Sequence, residues 1–181
     1  MSITKLNNLS VSALTALPSG VGGKVLQAVS TTKTDTFSVA GTTSLVDVTG
    51  LSVSITPSSA SNKILITGFI GSSIGASGNQ SFFHLLRNST EIAKADASAS
   101  RRIAHTAAVS NAETLGTWVL TPIPFQHLDS PSTTSATTYK IQISMATTSN
   151  TGYVNRSIRD EASTYYDGRI VSTITAFEIA P

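Results

Sequence analysis

Residues 51–70 constrain the chain most. They read LSVSITPSSASNKILITGFI. Leu51, Val53 and Ile55 alternate with Ser52, Ser54 and Thr56, so one face is apolar and the other carries hydroxyls. That is the period of a half-buried β-strand. Pro57 cannot donate to a ladder, and the SSASN run brings turn chemistry soon after it. Ile64 to Ile70 is then almost continuously apolar, as a strand covered on both faces would be. Strand, turn and strand follow one another here, and most of the chain repeats that grammar.

The length of 181 residues suits one domain with a core of useful size. Charged residues make up only 12%, about half the usual share. Ser and Thr fill the gap. Branching at Cβ makes Thr, Val and Ile fit a pleated surface. The formal charge is +2, and Arg101-Arg102 is the only basic pair. A nucleic-acid footprint needs a basic stripe or face, so none is expected. The absence of cysteine rules out disulfides and thiolate metal sites. No run approaches the ~20 apolar residues of a membrane-spanning helix, so membrane insertion is not expected. The N-terminus, interrupted by Asn7, Asn8, Ser10 and Ser12, makes a poor signal peptide.

Along the chain the alternation predicts strands over 24–30, 35–40 and 44–56, the last bent at Gly50. Further strands are predicted over 62–70, 80–87 and 91–94, with a tight turn at Asn88-Ser89. Residues 95–113 read as a surface excursion with a short strand around Ile103. Residues 115–121, carrying Trp118, read as a return to the sheet. Pro122 and Pro124 put 123–128 on an edge or at a sheet crossing. Residues 138–146 give the cleanest alternation, with Tyr139, Ile141, Ile143 and Met145 on one side. A second excursion covers 147–168, and 169–179 closes the sheet in its middle. Strands at this turn spacing predict an all-β fold, an antiparallel, jelly-roll-like β-sandwich over residues 24–181.

Residues 1–23 differ. Ile3, Leu6, Leu9, Ala13, Leu14 and Leu17 recur at the spacing of a short amphipathic helix, followed by a Gly-rich hinge. Of these, Ile3, Leu6, Leu9, Leu14 and Leu17 are the candidate docking residues.

Catalytic and metal chemistry find little footing. His84, His105 and His127 lack the close spacing of zinc ligands. Asp160 and Glu161 are adjacent and would face opposite ways on a strand, which suits a salt-bridged loop. Neither a Gly-x-Ser-x-Gly elbow nor a Gly-x-x-x-x-Gly-Lys loop is present. No enzyme, cofactor or metal is expected. The candidate binding residues are Tyr153, Arg156, Arg159, Tyr165 and Tyr166, types that make glycan and protein contacts and share one excursion. The opposing reading makes Tyr165 and Tyr166 a seal on the core and pairs the arginines with Asp160, Glu161 and Asp167. Recognition is expected on this excursion and on residues 96–114.

The run KVLQAVSTTKTDTFSVAGTTSLVDVTGLSVSITPSSASNKILI, with LDSPSTTSATTYKIQI and the closing VNRS…YYDGRIVSTITAFEI, resembles bacteriophage virion proteins. The likeness is to fibre and tail-fibre-tip domains from phages of marine bacteria. It implies a β-sandwich head of a homotrimeric fibre that mediates host attachment. The alternative is a capsid decoration or cement protein. Either would be assembled in the host cytoplasm and carried on the virion. The expected partners are its own copies, a host-surface glycan or protein, and another virion protein. That last partner, a tail adapter, baseplate or capsid protein, would be held through residues 1–23.

Overall fold

In the computed structural model, the alternation of apolar and hydroxyl residues becomes two facing antiparallel sheets. The structure describes residues 25–74, 80–109, 117–163 and 165–181. The proposed docking residues Ile3, Leu6, Leu9, Leu14 and Leu17 lie outside them. The strands are β1 (Val25–Lys33), β2 (Phe37–Val39), β3 (Val46–Ile55), β4 (Lys63–Ile74), β5 (Gln80–Arg87) and β6 (Thr90–Ile92). They continue with β7 (Thr106–Val109), β8 (Thr121–Asp129), β9 (Thr137–Met145), β10 (Gly152–Val154) and β11 (Ser172–Ile179).

Three pairs of these strands lie end to end and act as single rows. β11 and β10 both pair β4, at Lys63–Phe69 and Ser72–Ile74 respectively. β1 and β2 continue that arrangement, pairing β11 and β10. In the second sheet β6 and β7 divide β5 between them. Counted as rows in chain order, the first sheet runs β1/β2, β11/β10, β4, β8. The second runs β3, β9, β5, β6/β7. Numbered one to eight, the rows stand 1-8-3-6 and 2-7-4-5. Apart from rows four and five, which are neighbours in the second sheet, successive rows cross between the sheets, as the two Greek keys of a double-sheet jelly roll require.

The core follows the pleat. Ile64, Ile66 and Ile70 on β4 meet Phe83 and Leu85 on β5 and Tyr139, Ile141 and Ile143 on β9 within one buried cluster. Burying each such side chain contributes about 1.5–3 kcal/mol. Gly50 takes φ +81° where the β3–β9 register shifts, so the expected bend there is a bulge.

Several expectations need correcting. The strand expected near Ile103 lies at Thr106–Val109, and Ile103 is irregular. Thr117 and Trp118 form a turn, and the strand they were expected to join starts only at Thr121. β4 continues to Ile74, past the expected stop at residue 70. The strand after the second excursion starts at Ser172 rather than at residue 169. Both prolines of β8 sit in a strand that, among the described residues, pairs β4 alone as an edge, where missing donors cost least.

Candidate binding surface

The second excursion interrupts a strand in mid-sheet. β10 ends at Val154 opposite Ser72, and β11 begins with Ser172, next to the position opposite Phe69. Between them the chain leaves the sheet and returns at the level of Gly71. Asn155 turns it out, with φ +63° and no exposure. Its side-chain amide donates to the carbonyls of Lys33 (2.8 Å) and Asp35 (2.9 Å), at the break between β1 and β2. Its Oδ1 accepts from Ser172 Oγ at 2.6 Å, and Ser172 Oγ accepts from the Gly71 amide at 3.0 Å. A side chain at Gly71 would collide with Ile170, whose Cγ1 lies 2.5 Å from where a Cβ would stand.

Beyond this root the loop is held by its own charges. Arg169 grips Asp160 through two bonds, Nε to Oδ1 (2.9 Å) and Nη2 to Oδ2 (2.8 Å). Arg159 Nε donates to Asp167 Oδ2 at 2.7 Å, and Ser157 Oγ donates to the other oxygen at 2.9 Å. Arg156 donates to the carbonyls of Ser157 and Ile158 and lies over the Tyr153 ring, 4.8 Å from its centroid. The hydrogen bond from Arg169 holds the Asp160 carboxyl below its ordinary range; burial opposes this, and Arg156 adds to it. Asp167 raises the Arg159 guanidinium.

Five residues were candidates here. The structure brings Tyr153 and Arg156 together at the root and sets Arg159 against Asp167. The arginines therefore have partners within the loop, while the tyrosines do not seal the core. Tyr165 is 89% exposed and Tyr166 58%. Their rings lie 4.1 Å apart at 35°, and the Tyr165 hydroxyl donates to that of Tyr166 at 2.7 Å. That bond raises the Tyr165 hydroxyl above its ordinary value.

A further residue joins them that sequence reasoning placed in a strand. Trp118, 46% exposed, stands 6.2 Å from the Tyr166 ring, with the Arg159 guanidinium 5.9 Å from its own centroid. The turn holding Trp118 is fixed by the Thr117 carbonyl, which accepts from the amides of Ile158 (3.1 Å) and Arg159 (3.4 Å). Trp118, Tyr166 and Tyr165 form an aromatic ledge beside the start of β8. Such a surface offers flat apolar faces edged by hydroxyls and a cation, suited to sugar rings or to protein side chains.

The histidines are dispersed. His105 and His127 meet edge-on with centroids 6.4 Å apart, and His84 lies elsewhere, bonded to Glu91 and Ser144. Among the described residues no group of three or more His, Asp or Glu could hold a metal ion, and no helix is long and apolar enough to cross a membrane.

Fold and ledge together define a jelly-roll sandwich that carries a rigidly held aromatic loop. No model of a protein family matches the chain, and no curated protein sequence does. Solved structures of infectious bursal disease virus resemble it distantly. The Gt strain structure shares 14% identity at a TM-score of 0.45, over 85% of this chain and 38% of that one. The VP2 subviral particle shares 14% at 0.42, over 86% and 42%. The chain thus spans about two fifths of the structures it matches. A likeness this slight transfers neither a residue role nor a place in a particle.

Proposed function

We propose that the protein is a non-enzymatic structural component of a bacteriophage virion, the head of a tail fibre that contacts the host surface. The observation that carries this reading is the ledge of Trp118, Tyr165 and Tyr166. Two of these large aromatic side chains are kept in water by a loop whose charges hold it in place, and the third by a turn bonded to that loop. Exposed aromatics cost solubility, and a rigid loop is the usual place for binding residues. The sequence resemblance to fibre-tip domains agrees, and double-sheet jelly rolls occur widely in viral capsid and lectin domains.

Copies of the chain associate as a homotrimer through the outer face of the first sheet. There Leu128, Leu65, Phe177 and Ala28 stand side by side in register across four strands. Leu128 is 48% exposed, and Val25 and Leu26 are exposed at the start of β1. Residues 1–23, which precede that strand in the sequence, join another virion protein. Three copies would multiply a weak single-site affinity, so no deep pocket is required.

The same apolar stripe favours a second reading, a capsid decoration protein lying flat on the shell. Electron microscopy of the particle with this protein labelled separates the two. Label at the tail supports the fibre, and label spread over the head supports the shell.

A further inference from the structure

The first excursion builds a second site, on the outer face of the other sheet. Residues 93–105 interrupt the β6/β7 row as the second excursion interrupts β10/β11, and the His105 amide rejoins Phe83 at 3.0 Å. The loop folds back over β5 and β9, leaving a cleft of about 430 Å³. Its lining includes His84 and Ser144 from the strands, Thr43 and Leu45 from the segment before β3, and Arg101 and Arg102 from the loop.

The floor is preset. Glu91 Oε1 lies 2.7 Å from His84 Nδ1, so the carboxylate fixes the imidazole proton there. His84 Nε2 lies 3.0 Å from Ser144 Oγ; a neutral imidazole there accepts the hydroxyl proton and leaves the hydroxyl oxygen as an acceptor. Ser144 and His84 are 2% and 5% exposed, so the arrangement is rigid. Hydroxyl, imidazole and carboxylate in this order also make up a hydrolase triad. Acyl transfer needs amides free to hold an oxyanion, however. The next amides, of Met145 and Ala146, are already bonded to the carbonyls of Thr42 and Gln80 at 2.8 and 2.9 Å. The relay therefore positions the floor and does not attack.

The walls supply cations. Arg101 and Arg102 are exposed, and Arg102 makes one long bond, 3.4 Å, to the Thr43 carbonyl. The Glu91 carboxylate behind the floor is taken by His84 and by Lys94 at 3.8 Å. A guanidinium pair matches a carboxylate, the hydroxyls of Ser144 and Thr43 match sugar hydroxyls, and Leu45 gives an apolar wall for a ring face. We infer that this cleft binds a carboxylated sugar, a hexuronic acid, with the acid group on Arg101 and Arg102 and ring hydroxyls on the Ser144 floor.

The test uses the full-length protein, titrated with galacturonate and with galactose, which differ only at the sixth carbon. Amide shifts around Ser144 and His84 are read by NMR. Galacturonate should bind at least about tenfold more tightly, the worth of one good charged pair. The double variant R101Q/R102Q should bind both sugars alike with its melting temperature unchanged. Equal binding of the two sugars by the native protein overturns the inference. Galacturonate binding that survives R101Q/R102Q overturns it as well, and inorganic phosphate binding as tightly as galacturonate overturns the sugar part. The attachment reading rests on the ledge of the opposite sheet, so either can fail while the other stands.

Discussion

Asn155 and Ser172, separated by the whole second excursion, are joined in the sheet by a 2.6 Å hydrogen bond from the serine hydroxyl to the asparagine carbonyl oxygen. Both are fully buried. The bond closes the loop at its root, and the asparagine amide ties that root to the break between β1 and β2. One side chain thereby satisfies the backbone at two interruptions of neighbouring rows. Asn155→Ala removes three bonds, strands buried acceptors and forces alanine into a left-handed conformation. Net hydrogen bonds are worth about 1 kcal/mol each, so the variant should lose about 2–4 kcal/mol in urea unfolding. A loss well below that range would mean that the loop closes by other contacts.

Glu178 is a buried carboxylate on β11 with four donors. Asn62, Gln27 and both the amide and the hydroxyl of Ser58 bond to it. Burial alone would push its pKa up, but these bonds outweigh burial and hold it at about 2, against an ordinary 4.5. A carboxyl lowered on folding contributes stability that is full above 4.5 and is lost as pH falls toward 2. Unfolding free energy should therefore decline through that window. Glu178→Gln keeps one acceptor for Asn62 and Ser58 but sets a donor against the Gln27 amide and removes the charge, so it should be less stable at pH 7 and show a shallower acid slope. An unchanged slope in chemical denaturation would contradict this.

Asp129 clamps the two sheets at the far end of β8. It accepts from Arg87 Nη1 at 2.9 and 3.0 Å and from the Tyr139 hydroxyl at 2.7 Å. Burial, reinforced by this carboxylate, pushes the Tyr139 hydroxyl far above its usual range. Tyr139→Phe keeps the ring in the core and deletes one charge-assisted bond. It should cost about 1.5–3 kcal/mol by thermal or urea unfolding.

The loop arginines act locally. Arg169→Ala removes the grip on Asp160, and Arg159→Ala removes the bond to Asp167. Because both arginines reach solvent and both pairs lie within the excursion, global unfolding midpoints should hold while protease cleavage within 155–171 accelerates. A large fall in the midpoint would make the loop part of the cooperative core.

The alternation made most of this fold legible. Gln80–Arg87 is β5 as the sequence predicts, and Tyr139, Ile141, Ile143 and Met145 all face the core. The row interruptions were not legible, because nothing in their composition separates a loop inserted in mid-strand from one joining two strands. Asn155 reads as an ordinary loop residue until its φ and its three partners are seen. The apolar run around Trp118 looked like sheet because periodicity cannot tell a ring held by Tyr166 and a turn held by Thr117 from a strand. β7 was displaced from its expected place for the opposite reason: Thr106–Val109, with two alanines, carries little strand signal.

Attachment through the aromatic ledge can be read as cell binding. If the protein is the fibre head proposed above, labelled protein titrated onto host bacterial cells, beside a W118A/Y165A/Y166A variant of the same melting temperature, reads its attachment. The native protein should bind saturably, and the variant should not. No binding by the native protein, or equal binding by both, would contradict this.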